Sequence, residues 1–153
     1  MTSFKNIRVY KTNKTSKIPT RAHSLDAGID IYYNPSDDVE VTIPPQASVL
    51  LPSGVKIEVP HGHMLQVMNK SGVAFKRGLI VGACVVDEGY TGEVFVNLHN
   101  VGQEHQTISP GQKIAQGVFV NISRPELIEV LDDEIYDSPT DRGNGSLGST
   151  GDR

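Results

Sequence analysis

Tryptophan is absent, aromatic residues make up 6%, and cysteine occurs once, at Cys84, in a chain of 153 residues. One cysteine allows no intrachain disulfide and no thiolate metal cluster. No run approaches the ~18–20 apolar residues of a membrane span, so no membrane association is expected. The opening residues Met1-Thr2-Ser3-Phe4-Lys5 lack the apolar core of a secretory leader. An excess of positive charge is also missing, with 14 Lys and Arg against 18 Asp and Glu and a formal net charge of -4. Without a basic face to neutralise phosphates, direct nucleic-acid binding is not expected. A small anionic ligand stays possible, because it needs only a few local donors. What remains is one cytoplasmic or otherwise intracellular domain, large enough to bury roughly 68–70% of its unfolded surface.

Helical periodicity is nearly absent as well. Short runs rich in Val, Ile and Tyr are broken at short intervals by Pro or Gly, the pattern of an all-β sandwich or barrel. Strands are expected over 7–10, 28–33, 39–43, 48–51, 55–59, 64–68, 79–81, 84–86, 93–98, 106–108, 113–120 and 127–131. Pro52-Ser53-Gly54, Pro60-His61-Gly62 and Ser109-Pro110-Gly111 fix φ and then permit φ > 0, so they read as turns. Asp87-Glu88-Gly89-Tyr90 lies between two strand runs and reads as a hairpin tip. Val94 and Val96 alternate with Phe95 and Asn97. The segment 113–120 is apolar enough to be covered on both faces. Apolar content then falls toward the C-terminus, so residues 1–136 are expected to form the β domain and 137–153 a flexible arm.

Several polar clusters interrupt this pattern, and each has two readings. The stretch Arg142-Gly143-Asn144-Gly145-Ser146-Leu147-Gly148-Ser149-Thr150-Gly151 is either a plain mobile terminus or a lid that wraps phosphate. Glycines let successive N–H groups form an anion nest, Arg142 adds a cationic fork, and Ser149 and Thr150 add hydroxyl donors. Asn69-Lys70-Ser71-Gly72 is either a turn with a solvated lysine or a cation, a hydroxyl and a glycine N–H offered to phosphate. It lacks the leading glycines of a nucleotide P-loop. Asp87 is a turn residue or a general base for a water, and Tyr90 could then supply a platform for a sugar or base. Asp30, inside an apolar strand, must find partners if it is buried. Gln116 is a satisfied core amide or a ligand contact. His61 and His63 without further ligands read as turn residues rather than a metal site. Cys84, in an apolar run without a nearby base, reads as a small buried hydrophobe.

In chain order these clusters resemble the five motifs of the trimeric dUTP pyrophosphatase (dUTPase) family. Asp26-Ala27-Gly28-Ile29-Asp30-Ile31 is similar to the first and Lys70-Ser71-Gly72 to the second. Gly82 to Gly92, which contains Cys84-Val85-Val86-Asp87-Glu88-Gly89-Tyr90, is similar to the third. Gly111-Gln112-Lys113-Ile114-Ala115-Gln116 is similar to the fourth, and Arg142 to Gly151 to the fifth. The resemblance implies a jelly-roll-like distorted β-barrel and a homotrimer with active sites at subunit interfaces. One subunit would supply the third motif, a neighbour the second and fourth, and the third its arm. The implied reaction is hydrolysis of dUTP to dUMP and pyrophosphate by water attack at the α-phosphorus. This activity limits uracil entry into DNA and supplies dUMP for thymidylate synthesis. Mg²⁺ would be held through substrate phosphates and water rather than by protein ligands.

By the same resemblance Asp87 is the catalytic carboxylate. Tyr90 packs on deoxyribose, and Cys84, Val85, Val86 and Phe95 surround the uracil, which main-chain groups read. Lys70, Ser71, Gly72, Gln116, Arg142, Ser149 and Thr150 fall on phosphate-side positions, and Leu147 and Gly148 on the part of the arm that covers the base. Four positions depart from the family pattern. Lys70 stands for an arginine, Gly89 for a second acid, Gln112 for the acid beside the basic Lys113, and Leu147 for an aromatic residue. The departures at Lys70, Gly89 and Leu147 keep open a binding or regulatory member with weak turnover. The related dCTP deaminase branch is disfavoured by the Asp87/Tyr90 pair. A purely structural jelly roll, such as a capsid module, explains the strands but not the clusters.

Overall fold

The computed structural model describes residues 6–131 and 135–146. The chain divides into two units, Met1–Ser123 and Arg124–Arg153. The described residues contain eleven strands and one short helix. In order they are β1 (Val9–Lys11), β2 (Ile29–Tyr32), β3 (Val41–Ile43), β4 (Ser48–Pro52), β5 (Val55–Ile57), β6 (His63–Met68) and α1 (Ser71–Arg77). Then come β7 (Leu79–Val81), β8 (Val85–Val86), β9 (Phe95–Asn100), β10 (Gln106–Ile108) and β11 (Lys113–Asn121).

Every pairing is antiparallel. Four sheets result, ordered β1-β5, β10-β3, β2-β11-β6-β8 and β4-β9-β7. Neighbours in space are mostly distant in sequence, which makes the first unit an all-β, jelly-roll-like fold. Alternation aims one face of each strand inward, and Ile31, Leu65, Val96, Leu98, Ile108 and Ala115 are fully buried. Val94 and Val96 point in while Phe95 is exposed, as the alternation requires. The strand β11 lies between β2 and β6, and its buried Ile114 and Ala115 match its apolar sequence. A register shift between Lys113 and Ala115 marks a bulge there. Bulges re-aim side chains, and here the Lys113 ammonium comes to 2.6 Å from Asp30 Oδ2.

Three expectations need correction. The segment after Met68 is not only a turn, because Ser71–Arg77 forms a two-turn helix. Lys76 and Arg77 complement its C-terminal dipole, and Gly78 at φ 62° donates its N–H back to the carbonyls of Ala74 and Val73. The run 127–131 forms no strand. Leu127 and Leu131 are 92% and 100% exposed, and among the described residues no strand pairs with this run, so it has no ladder to join. Finally, Asp87 to Tyr90 does turn, with Tyr90 N–H donating to the Asp87 carbonyl at 3.2 Å and Gly89 at φ 84°, but its flanking strands do not pair with each other. Strand β8 pairs with β6, whereas β9 pairs with β4 and β7. The turn therefore carries the chain from one sheet to another.

Candidate functional site

The first cleft, of about 430 Å³, is lined by residues of three motif-like clusters, among them Gly28, Asp30, Met68, Lys70 and Gln116. Asp30 is 4% exposed, and its carboxylate forms a hydrogen-bonded ion pair with Lys70 and a second ion pair with Lys113 at 2.6 Å. Burial pushes the Asp30 carboxyl up, but hydrogen bonding and charge from Lys113 and Lys70 outweigh it and hold the group below its ordinary range. The buried acid thus finds the partners its position demands. Lys70 is accordingly not a solvated turn residue, since its ammonium is already engaged beside the cleft. Lys113, next to Gln112, keeps an acidic partner through Asp30 instead.

Gln116 is placed by two constraints. Its Nε2 donates to the Asn69 carbonyl at 2.9 Å, and the Asn69 side chain in turn accepts from Val81 N–H at 2.7 Å. Gly28 leaves room for it, because a Cβ there would collide with the Gln116 carboxamide. Lys70 is the extended N-cap of α1, so Ser71 and Gly72 open the helix and their N–H groups have no intrahelical acceptor. A Cβ at Gly72 would meet nothing within 4 Å, so the space beside it is open.

A second cleft, of about 550 Å³, is formed by Val85, Val86, Asp87, Tyr90, Phe95 and their neighbours. Asp87 is exposed, and its carboxylate makes no hydrogen bond or ion pair among the described residues. Such a carboxylate can take a proton from a water held against it. Tyr90 lies across Gly92, where any Cβ would collide with the phenol, and its hydroxyl donates to the Glu93 carbonyl at 2.9 Å. The ring is half exposed and presents a flat wall. Cys84 is only partly buried, contrary to its expected place in the core.

The main chain at the back of this cleft has an unusual opening. Gly82 N–H donates to the Asn97 carbonyl at 2.9 Å, extending the β7–β9 ladder by one bond. Continuing that register would set Cys84 across from Phe95. The chain leaves instead, and the Cys84 carbonyl accepts from Val67 N–H at 2.7 Å. On the other side of β9, Ser53 N–H reaches the Val94 carbonyl at 3.1 Å. That makes the Pro52–Phe95 pair a non-hydrogen-bonded one, so the Phe95 N–H and C=O point away from β4 toward the opening. A planar ring with donors and acceptors on one edge can complete the ladder that the two strands leave open.

In the second unit Arg142 lies in a turn, with Gly145 N–H donating to its carbonyl at 3.0 Å and its own Nε donating to the Gly145 carbonyl at 3.2 Å. Leu147, Gly148, Ser149 and Thr150 lie outside the described residues.

Two glutamates escaped the sequence reading. Glu88 accepts from Gly62 N–H at 3.1 Å and faces His61 Nδ1 at 2.7 Å, while Glu93 accepts from Gly54 N–H at 2.7 Å. Their partners lie 26 to 39 residues away, so no local pattern marks them. Among the described residues no group of three or more His, Cys, Asp or Glu is arranged to hold a metal ion. With both Asp30 oxygens facing lysines, the donor set fits an ion that arrives on phosphate oxygens and water, as Mg²⁺ commonly does. No helix among the described residues is long and apolar enough to cross a membrane.

The model of the dUTPase family matches residues 14–151. The deoxyuridine 5'-triphosphate nucleotidohydrolase of Gloeothece citriformis is 40% identical over 147 residues, covering 95% of this chain and 96% of that protein. The corresponding protein of Debaryomyces hansenii is 37% identical over 146 residues, covering 95% and 88%. Among solved structures, the dUTPase of Staphylococcus bacteriophage 80alpha with dUPNHPP superposes with a TM-score of 0.86 at 26% identity, covering 97% of this chain and 99% of that one. A variant dUTPase of phage phi11, whose structure reveals the coordination of a structural Mg(II) ion, shares the fold with a TM-score of 0.76 at 24% identity, covering 87% and 99%.

Proposed function

Because the chain belongs to the dUTPase family, it hydrolyses dUTP to dUMP and pyrophosphate, and we propose that Asp87 activates the attacking water. This activity limits uracil incorporation into DNA and supplies dUMP for thymidylate synthesis. The assignment is carried by one observation: an exposed carboxylate without partners among the described residues stands on the turn beside a broken main-chain ladder. Uracil carries an N–H between two carbonyls, and such an edge suits the opening between Cys84 and Phe95. Val85 and Val86 flank it. Tyr90 packs against the deoxyribose, where a 2′-hydroxyl would collide with the ring.

The Asp87 carboxylate takes a proton from the water. The water oxygen bonds to the α-phosphorus, the bond from that phosphorus to the bridging oxygen breaks, and pyrophosphate leaves. Attack of this kind depends on positioning and charge neutralisation more than on covalent chemistry. Lys70, Ser71, Gly72 and Gln116 supply donors for the phosphates. Mg²⁺, when bound, supplies further neutralising charge on the phosphate oxygens.

The distance between the two clefts supports a site shared between copies of the chain, and the homotrimer is the assembly we propose for it. Val86 pairs with Leu65 and Gln116 with Met68, so extending the β8 register sets Asp87 level with Met64. Four residues along β6 and two strand spacings across it separate Asp87 from Gln116 by about 17 Å of backbone. Both groups serve one triphosphate in this reading, so a neighbour's Lys70 and Gln116 complete the site around a given Asp87. In the arm, taken as residues 137–153 beyond the 1–136 body, the likeness to the family's fifth motif assigns Arg142, Ser149 and Thr150 to the phosphates. The same likeness assigns Leu147 and Gly148 to the base. Asp87→Asn tests the assignment directly. It is expected to bind dUTP and lose most turnover, and near-wild-type pyrophosphate release would refute the base.

A further inference from the structure

Because β8 and β9 belong to different sheets, no ladder holds the Asp87 turn at its base. Side chains and single backbone bonds hold it instead. At the C-terminal end Glu93 accepts from Gly54 N–H at 2.7 Å and the Val94 carbonyl from Ser53 N–H at 3.1 Å. At the other end one carboxylate bridges to a different loop. Glu88 Oε2 accepts from Gly62 N–H at 3.1 Å, and Oε1 lies 2.7 Å from His61 Nδ1. His63 Nδ1 faces the His61 carbonyl at 2.9 Å. Gly62 and Gly89 both have positive φ, at 74° and 84°, so each loop has a shape of its own and Glu88 sets one against the other.

We propose that Glu88 is a positioning residue, whose carboxylate ties the Asp87 turn to the turn over residues 60–62, with His61 bracing the tie. The proposal rests on the assignment of Asp87 made above. Glu88 is the next residue after Asp87, so fixing its carboxylate at two points fixes the peptide plane from which the Asp87 side chain departs. Asp87 touches the water rather than the uracil or the terminal phosphates. A loosened turn therefore lowers the rate of attack and leaves substrate affinity nearly intact. A misplacement near 1 Å can cost on the order of 100-fold in rate, and a partly released turn about tenfold. The Glu88 side chain is 25% exposed and that of His61 91%, so the bond to Gly62 contributes more than the contact with His61.

The test measures pyrophosphate release from dUTP by the full chain and its variants. Glu88→Ala is expected to lower kcat about tenfold, with KM within about twofold and the melting temperature unchanged. Glu88→Gln, which keeps an oxygen for Gly62 N–H, is expected to restore most of the rate. His61→Ala lowers kcat about twofold, and the double variant His61→Ala/Glu88→Ala is no slower than Glu88→Ala. Wild-type kcat in Glu88→Ala, or a matched rise in KM with a lowered melting temperature, would overturn the proposal. Amide exchange over residues 85–94 without substrate reads the tie independently of turnover. Faster exchange in Glu88→Ala supports it, and unchanged exchange overturns it. A wild type inert toward dUTP would instead overturn the function proposed above.

Discussion

Replacing Asp30 by asparagine removes the charge that two ammonium groups share. The Asp30 side chain is 6% exposed, that of Lys70 27%, and that of Lys113 46%. Breaking a buried pair by removing one partner costs about 3–5 kcal/mol, because the other charge is left unpaired. Lys113 can turn to water, which leaves Lys70 as the stranded group and places the cost near the low end, at about 3 kcal/mol. For a domain of this size that corresponds to a fall of about 6–12 °C in Tm. Urea unfolding of wild type and Asp30→Asn at one fixed protein concentration measures it. The dependence on pH is a second check. The folded protein holds the Asp30 carboxyl below its ordinary range, so its contribution is complete above the unfolded value of about 4 and is lost as pH falls through the lower folded value. The gap between the two proteins is therefore constant from neutral pH down to about 4 and closes below it. A neutral-pH difference under about 1 kcal/mol, or a gap that widens in acid, would refute the idea that the two lysines stabilise this carboxylate.

Other perturbations follow from the same geometry. Gly28→Ala forces the Gln116 carboxamide away from the Asn69 carbonyl; stability is expected to fall by about 1 kcal/mol and KM for dUTP to rise, read by melting and steady-state kinetics. Leu147→Phe adds base stacking worth ~1–3 kcal/mol and is expected to lower KM, so an unchanged or raised KM counts against an arm that covers the base. Truncation after Asp141 is expected to leave a folded protein with little pyrophosphate release, and full activity would exclude a role for the arm residues.

Legibility in the sequence tracked how local each cause was. The turns at Pro52-Ser53-Gly54 and Ser109-Pro110-Gly111 were readable because glycine and proline act on their own backbone, and Gly54 and Gly111 do have positive φ. The alternation around Val94 and Val96 identified an inward face without naming its neighbour. Asp30 was legible as a buried acid in need of partners, although Lys70 and Lys113 are 40 or more residues away and no spacing rule points to them. The helix Ser71–Arg77 carries a stop signal in Lys76-Arg77-Gly78, yet two turns are too few for periodicity to show. Pairing was the least legible level. The residues around Asp87 specify a turn, but whether its two arms join each other or separate sheets is decided by β6 and β4, far along the chain.

The base slot proposed where two strands part company would be written in peptide groups, which every residue type except proline carries in full. On that proposal, side chains at 84 and 95 other than proline could change with little effect on the choice of base. A single-residue insertion or deletion between 82 and 86 would then act on that slot more strongly than most side-chain substitutions, because it slides the peptide groups themselves along the opening.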